Sequence, residues 1–411
     1  MIGERMFRKK TRSYGISILV GRVCIFGSLL LGALFVWSTQ LDAGRVVARS
    51  EDSRGWSVEM LSPAYQLDRV YMSMQGPRSN QAKIQLSPAA APDDTLWLTG
   101  VETNIVDAKS LKPISNEFFC HSNLTLNPDT TTPQQHNASF DLMTHTDWRL
   151  FTLVPGRMTL QLPEGFGLPV KNSTLLDYYT MALNQNAGQP DRSVRMHTRI
   201  TFRHNLPGEK AVRPLFRRAL YVYQQHSEES GAGAVSDESQ RQHLGELCAE
   251  DCPIDQRGRT PSRFGDALAS HPGATCCVSN ASTAGVVPQF GEENTVHWMV
   301  PPGSHEYHTE VTEQMQLPFD TTSHYVTGHL HPFGKALRLL DLETGEVVFE
   351  ITARSYNNLL GVEWMSELRS PAGVPIHRGR RYELIAEYEN TLDRPIDAMG
   401  ILYLYALDEA P

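Results

Sequence analysis

The sequence predicts an all-β fold, with two tandem jelly-roll-like β-sandwich domains behind an N-terminal transmembrane anchor. Three observations favour this fold: short alternating or apolar runs dominate the body, turn-forming Pro, Gly, Asn and Asp bound these runs, and long 3.6-residue patterns are few. The length of 411 residues suits two domains. A content of 40% apolar and 20% charged residues is sufficient for packed cores.

A basic head followed by an apolar run identifies the N-terminus as a targeting segment. Residues 1–37 contain six basic side chains and one acidic one. The uninterrupted apolar part, 23–37, has the length of a signal-peptide core, whereas 16–37 can span a bilayer if Arg22 extends to the cytoplasmic headgroups. We expect an uncleaved anchor because no small-x-small cleavage site follows cleanly, and a cleaved signal peptide is the alternative. Either segment places the body on the extracytoplasmic side of a membrane as a single-pass protein.

The body after this segment is acidic, with 31 basic and 45 acidic residues and a net charge of −14. A surface of that sign repels phosphate backbones, so nucleic acid is excluded as a partner. The sequence also lacks a Walker loop, a G-x-G-x-x-G after a strand and a G-x-S-x-G elbow, which leaves nucleotide-dependent and hydrolase functions without support. The expected partners are the membrane, through the anchor, and a small-molecule or peptide substrate.

The predicted strands fall into two groups separated by an irregular insertion. This insertion, 227–294, is rich in Ser, Gly and Ala and shows no clear periodicity. The predicted organisation is a cytoplasmic basic head (1–15), the anchor or signal segment (16–37), a linker (38–59), the first sandwich (60–226), the insertion (227–294) and the second sandwich (295–411). Examples of the predicted strands are Thr95–Val101, Leu150–Val154, Met158–Leu162, Leu175–Leu183, Val194–Phe202, Tyr325–His329, Ala336–Leu340, Val347–Thr352, Arg381–Tyr388 and Met399–Ala406.

Four of the six cysteines lie in this insertion, and in an exported protein such a cluster predicts disulfides. Adjacent cysteines rarely bond to each other, which disfavours the connectivity that joins the last two and leaves two others open. A zinc site is the alternative, although the spacing matches no common zinc motif. The disulfide candidates are Cys248, Cys252, Cys276 and Cys277.

The candidate chemistry lies in a histidine pair and a distant methionine. His329 and His331 form an H-x-H pair on a predicted strand, where residues i and i+2 face the same side and can bind one ion. Met399 begins the last predicted strand. Imidazole is a borderline ligand and the thioether is soft, so this donor set prefers Cu(I) and leaves a position open for O2.

Several other histidines are not assigned to this candidate site. His305 and His308 could add ligands or form a second site, but their i, i+3 spacing places them on opposite faces of a strand. We therefore expect them to be solvent-exposed residues without a metal. We expect His324 to form structural hydrogen bonds.

The second half resembles the C-terminal domain of the copper type II, ascorbate-dependent monooxygenases, such as peptidylglycine alpha-hydroxylating monooxygenase and dopamine beta-monooxygenase. The resemblance implies that His329, His331 and Met399 bind the copper ion that activates O2, and that Tyr403 contacts substrate. It also implies ascorbate or another reductant as electron donor. The segments that carry the resemblance are Val300–Gly303, His324–Lys335, Arg378–Asn390 and Asp397–Tyr405.

The first half is similar to the N-terminal domain of the same family over 150–170 and 175–184. The family domain holds a second copper ion through a His-His pair and a later His. The matching positions here are Cys120, His121 and Asn184, so only His121 keeps the ligand type. Cys120 and His121 remain a weak candidate for a second metal site, to which His145 or His197 could add a ligand. Successive strand residues point to opposite faces, which weighs against this second site.

The resemblance leaves two function classes open. The first is a copper monooxygenase that hydroxylates a C–H bond, and the second is a non-catalytic copper-binding or interaction protein of the same fold, which includes a purely structural double sandwich. Retention of His329, His331 and Met399 favours the first class, and loss of the first-half ligands favours the second. Thr327 and Ile401 stand where the peptide-amidating members have Arg and Asn, which argues against peptide amidation.

Overall fold

The computed structural model describes residues 45–51, 55–71, 76–85, 91–127, 149–186, 191–205, 208–225 and 294–409. The predicted basic head, anchor or signal segment and cysteine-containing insertion fall outside these residues, apart from residue 294, and so do the disulfide candidates Cys248, Cys252, Cys276 and Cys277. None of the helices within the described part is both long and apolar enough to cross a membrane.

The described residues are nearly all β, which confirms the predicted fold class. Their helical content is a short helix, α1 (Thr312–Met315), and a 3₁₀ turn (Asn116–Phe118). The strands are β1 (Arg45–Glu51), β2 (Gly55–Leu61), β3 (Tyr65–Leu67), β4 (Arg78–Gln85), β5 (Thr95–Asp107), β6 (Phe119–Leu126), β7 (Arg149–Leu153), β8 (Thr159–Gln161), β9 (Phe166–Lys171), β10 (Leu175–Ala182), β11 (Arg192–Arg203), β12 (Arg213–Tyr221), β13 (Gln224–Gln225), β14 (Asn294–Thr295), β15 (Trp298–Val300), β16 (Gly303–Glu310), β17 (Thr321–Leu330), β18 (Gly334–Asp341), β19 (Val347–Ser355), β20 (Val362–Met365), β21 (Leu368–Ile376), β22 (Tyr382–Asn390), β23 (Ile396–Ala398) and β24 (Gly400–Leu407).

The predicted linker contains two of these strands, which corrects the boundary at 38–59. β1 pairs with β2, and β2 also pairs with β11 in the first half. The alternation of Trp56, Val58 and Met60 explains the difference, because these apolar side chains share one face of β2 and are all buried. The residues before the first predicted sandwich therefore extend its sheet.

An eleven-stranded sheet runs through both halves of the described chain, in the order β1-β2-β11-β5-β9-β12-β24-β17-β21 with β3 and β8 off this path. At its centre β12 pairs in parallel with β9 and antiparallel with β24. The closing strand of the chain thus docks on a strand of the first half. The described residues belong to one compact unit.

Two smaller sheets and two short ladders complete the architecture. The four-stranded sheet has the order β4-β10-β6-β7, and the five-stranded sheet has the order β16-β22-β18-β19-β20. The ladders are β13-β14 and β15-β23. β17 and β24 are buried along almost their whole length, as expected for strands covered on both faces. The candidate site lies where this central pair of strands ends, at the Leu330–Gly400 pairing.

Candidate metal centre

A tight turn fixes His331 immediately after β17. The backbone N–H of Gly334 donates to the carbonyl oxygen of His331 at 3.1 Å, and Pro332 occupies the second position of the turn. Phe333 has φ 71°, a left-handed conformation that costs a non-glycine residue about 1 to 3 kcal/mol. Its N–H donates to the Ser355 hydroxyl at 3.0 Å, which stabilises the turn. Strain is therefore concentrated next to the candidate ligand.

The Tyr388 hydroxyl joins the backbones of His331 and Met399. It accepts from the N–H of His331 at 3.1 Å and from the N–H of Met399 at 3.3 Å, and donates to the Met399 carbonyl oxygen at 2.6 Å. Burial raises the pKa of the phenol, so it remains a donor at physiological pH. One side chain of β22 thus positions the two segments that carry the predicted ligands.

The predicted triad occupies neighbouring buried positions. The rings of His329 and His331 have centroids 5.1 Å apart and planes at 79°. His329, His331 and Met399 are 8%, 6% and 7% exposed. Met399 falls between β23 and β24, one residue beyond the Leu330–Gly400 pairing. Ligation by this triad stays a prediction, because the geometry fixes the Met399 backbone beside His331 but does not establish a contact of its sulfur.

His329 is held neutral, the protonation state that binds metals. Burial lowers its pKa well below the ordinary value, and the charges of His331, His121 and His297 lower it further. Its Nδ1 is buried and has no hydrogen-bond partner among the described residues. A buried polar atom without a partner is costly, and a bound ion would satisfy it. This donor fits the copper ion that the resemblance implies.

The structure adds two residues that the sequence interpretation missed, His297 and Asp397. Nδ1 of His331 lies 2.9 Å from Oδ2 of Asp397, and Nδ1 of His297 lies 3.4 Å from Oδ1 of the same carboxylate. The His297 and His331 ring centroids are 5.3 Å apart. One ligand atom from each of the three residues lies within 4.8 Å of the others. Burial would raise the Asp397 pKa, but the charges of His331 and His297 hold it well below its ordinary value.

The backbone explains how these two residues meet. β15 pairs with β23, so that Trp298 lies opposite Ala398 and Met299 opposite Asp397. His297 and Asp397 therefore lie on the same face, in a diagonal cross-strand relation. Asp397 could have been found from sequence, since it stands two residues before Met399 and shares its face. His297 could not have been found from the sequence, because only the pairing of β15 with β23 places it beside Asp397.

The weak second site, Cys120 and His121, shows a different geometry from the one expected. Sγ of Cys120 lies 3.2 Å from Nδ1 of His121, although successive strand residues usually point apart. The register shifts here, with His121 opposite Met181 and Phe119 opposite Ala182, so Cys120 is an extra residue in a β-bulge. The bulge brings the two side chains together and corrects the expectation of opposite faces.

The surroundings of His121 connect the first half to the histidine cluster. Burial, followed by the charges of Arg149 and Arg78 and of His331, lowers the pKa of His121 to about 3. The His121 ring stacks on Tyr179 with centroids 5.2 Å apart. His121 thus lies within electrostatic range of the second-half histidines.

The other positions considered for a second site have structural partners of their own. Asn184 donates to the Arg69 carbonyl oxygen and accepts from the N–H of Asn186. His197 contacts Glu59 at 3.1 Å, and His145 lies outside the described residues. The described structure therefore places Cys120 and His121 together without a third ligand from these positions.

Tyr403, the candidate substrate contact, is covered by an arginine. The Arg217 guanidinium carbon lies 4.6 Å from the Tyr403 ring centroid, a cation–π arrangement. Arg217 also donates to the Thr152 hydroxyl at 3.3 Å. Burial raises the pKa of Tyr403. Contact of Tyr403 with a substrate stays a prediction.

The remaining histidines have partners away from this cluster. His305 lies 3.2 Å from the Pro302 carbonyl oxygen, and the exposed His308 lies 3.2 Å from Glu383. His324 is buried between the Thr322 hydroxyl at 2.9 Å and the Ser370 carbonyl oxygen at 3.0 Å. These contacts agree with the structural role expected for His324.

The burial of His324 leads us to expect a lower free energy of unfolding in mild acid. Burial lowers its pKa from the ordinary value of 6.5. The unfolded chain therefore binds more protons than the folded one as pH falls below about 6.5, and the free energy of unfolding decreases there. Urea unfolding at pH 7.5 and 5.5 should show a smaller drop for His324→Gln than for the wild type. An equal drop in both proteins would contradict this role.

Comparisons with known proteins show only distant structural similarity. No family model and no curated protein matches the chain. The major capsid protein P2 of bacteriophage PM2 matches with 7% identity over 80% of this chain and 97% of that one, at a TM-score of 0.26. The STIV MCP matches with 8% identity over 84% of this chain and 97% of that one, at a TM-score of 0.27. Pumpkin seed globulin matches with 10% identity over 90% of this chain and 87% of that one, at a TM-score of 0.18. Similarity at this level carries no argument about function.

Proposed function

We propose that this protein is a membrane-anchored, extracytoplasmic copper oxidoreductase that hydroxylates a C–H bond with O2. One copper ion would be held by His329, His331 and Met399. The observation that carries the proposal is the buried Nδ1 of His329, without a hydrogen-bond partner among the described residues and beside the His331 ring. The resemblance of the surrounding segments to copper type II monooxygenases supports the choice of metal.

The chain's own residues would bind and orient the ion. Two imidazoles and a thioether favour Cu(I), and three ligands leave a position for O2. When bound, copper supplies the one-electron chemistry that activates O2. Burial of His329 keeps the imidazole neutral and ready to bind, and the Tyr388 hydroxyl fixes the spacing of His331 and Met399. Burial also keeps bulk water from the ligands.

The electron balance defines what else the reaction needs. Hydroxylation converts R–H and O2 to R–OH and water, and it consumes two electrons and two protons. Ascorbate or another reductant would supply both electrons. In the resembling family a second copper ion relays one of them, and Asn184 here uses its amide for structural hydrogen bonds at one of the expected ligand positions.

This engagement of Asn184 is the observation that favours a second candidate function. A chain with one copper site and no relay could bind copper or a protein partner without catalysis. The copper-binding form of this alternative has the same copper site as the oxidoreductase and differs from it only in turnover. Oxygen consumption therefore has to be measured together with copper content.

The test begins with the full chain purified in detergent and loaded with Cu(I) under reducing conditions. Mass spectrometry of the metal content should give one copper per wild-type chain at this site. His329→Ala and Met399→Ala should each remove it, whereas His305→Ala, a histidine outside the cluster, should not. Equal copper in the wild type and both triad variants would contradict the site.

Oxygen uptake with ascorbate then separates the two functions. Uptake that depends on a candidate substrate and is lost in Met399→Ala supports the monooxygenase. A copper-loaded chain that shows no substrate-dependent uptake supports the non-catalytic alternative. Release of peroxide without a hydroxylated product would indicate uncoupled reduction of O2.

A further inference from the structure

We propose that His297, His331 and Asp397 bind a divalent cation of the zinc type, separate from the copper ion. The two sites share His331, so when both ions are bound its ring loses the N–H proton to solvent and bridges them as imidazolate, with one nitrogen for each ion. The cation site stands on its own geometry and does not depend on the proposed oxidoreductase function. Neither His297 nor Asp397 belongs to the copper triad.

The contact between His331 and Asp397 has the geometry of two ligands of one ion. Nδ1 and Oδ2 are 2.9 Å apart, yet neither atom has an aligned hydrogen-bond partner among the described residues. Both atoms are buried, so a shared ion would satisfy the two of them together. Ligands of a tetrahedral zinc ion, with bonds of about 2.1 Å, lie about 3.4 Å apart. The distance from Nδ1 of His297 to Oδ1 of Asp397, 3.4 Å, matches this value, and the distance from Nδ1 of His331 to Oδ2, 2.9 Å, is shorter.

The donor chemistry selects a divalent ion of borderline or hard character. Two imidazoles and one carboxylate are a frequent ligand set of zinc and of iron(II), whereas copper(I) prefers softer donors. The carboxylate of Asp397 contributes the negative charge that offsets part of the charge of the ion. The site therefore differs in metal preference from the adjacent His-His-Met set.

Partial exposure gives the ion an entry path and a fourth ligand. The side chains of His297 and Asp397 are 20% and 26% exposed, whereas that of His331 is 6% exposed. Solvent thus reaches parts of the His297 and Asp397 side chains, whereas Oδ2 of Asp397 and Nδ1 of His331 are themselves buried. Three protein ligands with one water-accessible position are typical of zinc sites that bind a water or substrate.

The backbone holds the three residues in place before the ion binds. The β15-β23 ladder fixes His297 relative to Asp397, and the Tyr388 hydroxyl fixes His331. Use of Nδ1 of His331 for the divalent ion leaves its Nε2 for copper. His331 would then connect a redox ion to a non-redox one through a single imidazole ring.

Zinc titration of the full-length protein in detergent tests the proposal. Equilibrium dialysis against a zinc buffer, followed by metal analysis, should show one more zinc in the wild type than in His297→Ala at the same free zinc. Asp397→Asn, which keeps the shape and removes the charge, should weaken this zinc by about 100-fold. Asp320→Asn is the matched control, because Asp320 pairs with His377 at 3.3 Å on the surface, and the two belong to no three-residue metal-ligand group in the part of the chain that the structure describes. Zinc common to all variants belongs to other donors, such as the cysteine cluster.

The outcomes distinguish this proposal from the copper proposal. Loss of one zinc in His297→Ala and Asp397→Asn, with copper retained, supports both sites. If His297→Ala and Asp397→Asn each lose one zinc but the wild type binds no copper, the zinc site is supported and the copper triad is contradicted. Equal zinc in the wild type and both variants overturns the zinc site. A variant Asp397→Asn that loses only copper affinity also overturns it, and would show that Asp397 merely orients His331.

Discussion

His331→Ala should abolish both metal sites at once, with affinities for copper and for zinc that fall at least about 100-fold. His331 is the one residue common to the predicted copper triad and to the group with His297 and Asp397. Its ring lies 5.1 Å from that of His329 and 5.3 Å from that of His297. Removal of this imidazole therefore takes a ligand from each ion, whereas removal of any other proposed ligand takes one from a single ion.

The measurement is competition with chelators of known affinity, first for Cu(I) and then for zinc, with the folded fraction followed by circular dichroism. His331→Gln is a second variant that keeps most of the side-chain volume if the alanine variant unfolds. His308→Ala is the control, since His308 is exposed and paired with Glu383. Wild-type affinity for both metals in a folded His331 variant would remove the basis for the whole centre.

Tyr388→Phe should lower the free energy of unfolding by about 2 to 4 kcal/mol and weaken copper binding by about tenfold. The substitution removes a single oxygen that serves three backbone groups of His331 and Met399. Those groups stay buried without a partner, which is the expensive case for hydrogen bonds. The spacing of the two residues also loses its constraint, so the copper affinity falls with the stability.

Tyr382→Phe separates the loss of folding stability from the loss of copper affinity. Tyr382 lies on the same strand, six residues away or about 20 Å, and its hydroxyl also accepts from and donates to backbone groups, those of His377. Urea unfolding and copper competition should show a stability loss in both variants, but a copper effect only in Tyr388→Phe. Equal copper affinity in Tyr388→Phe and the wild type would contradict the positioning role of the hydroxyl.

Sequence periodicity predicted the strands well because it reports burial directly. Each apolar or alternating run proposed as a strand forms one, from β5 to β24. The linker was wrong at β1 and β2, where the alternation of Trp56, Val58 and Met60 was present but outweighed by the polar residues around it. The local pattern was therefore reliable where it named a strand, but it left others unnamed, among them β6, β9 and β12.

Pairing across distant strands is what the sequence could not provide. His329 and His331 share a face because of their i, i+2 spacing, which is a local property. His297 and Asp397 meet only because β15 pairs with β23, and Cys120 meets His121 only because a bulge breaks the alternation of β6. Such contacts depend on register, and a shift by one residue would turn every side chain to the other face.

The sequence by itself determined the all-β class, ten of the 24 described strands and the adjacency of the two histidines in H-x-H. Only the tertiary structure decided that the closing strand docks on β12, that Tyr388 joins His331 to Met399, and that a carboxylate and a third histidine flank His331. The physical reason is that strand alternation is encoded within a few residues, whereas the ligand sphere of an ion is assembled from segments far apart in the chain. Their convergence depends on how the whole sheet closes.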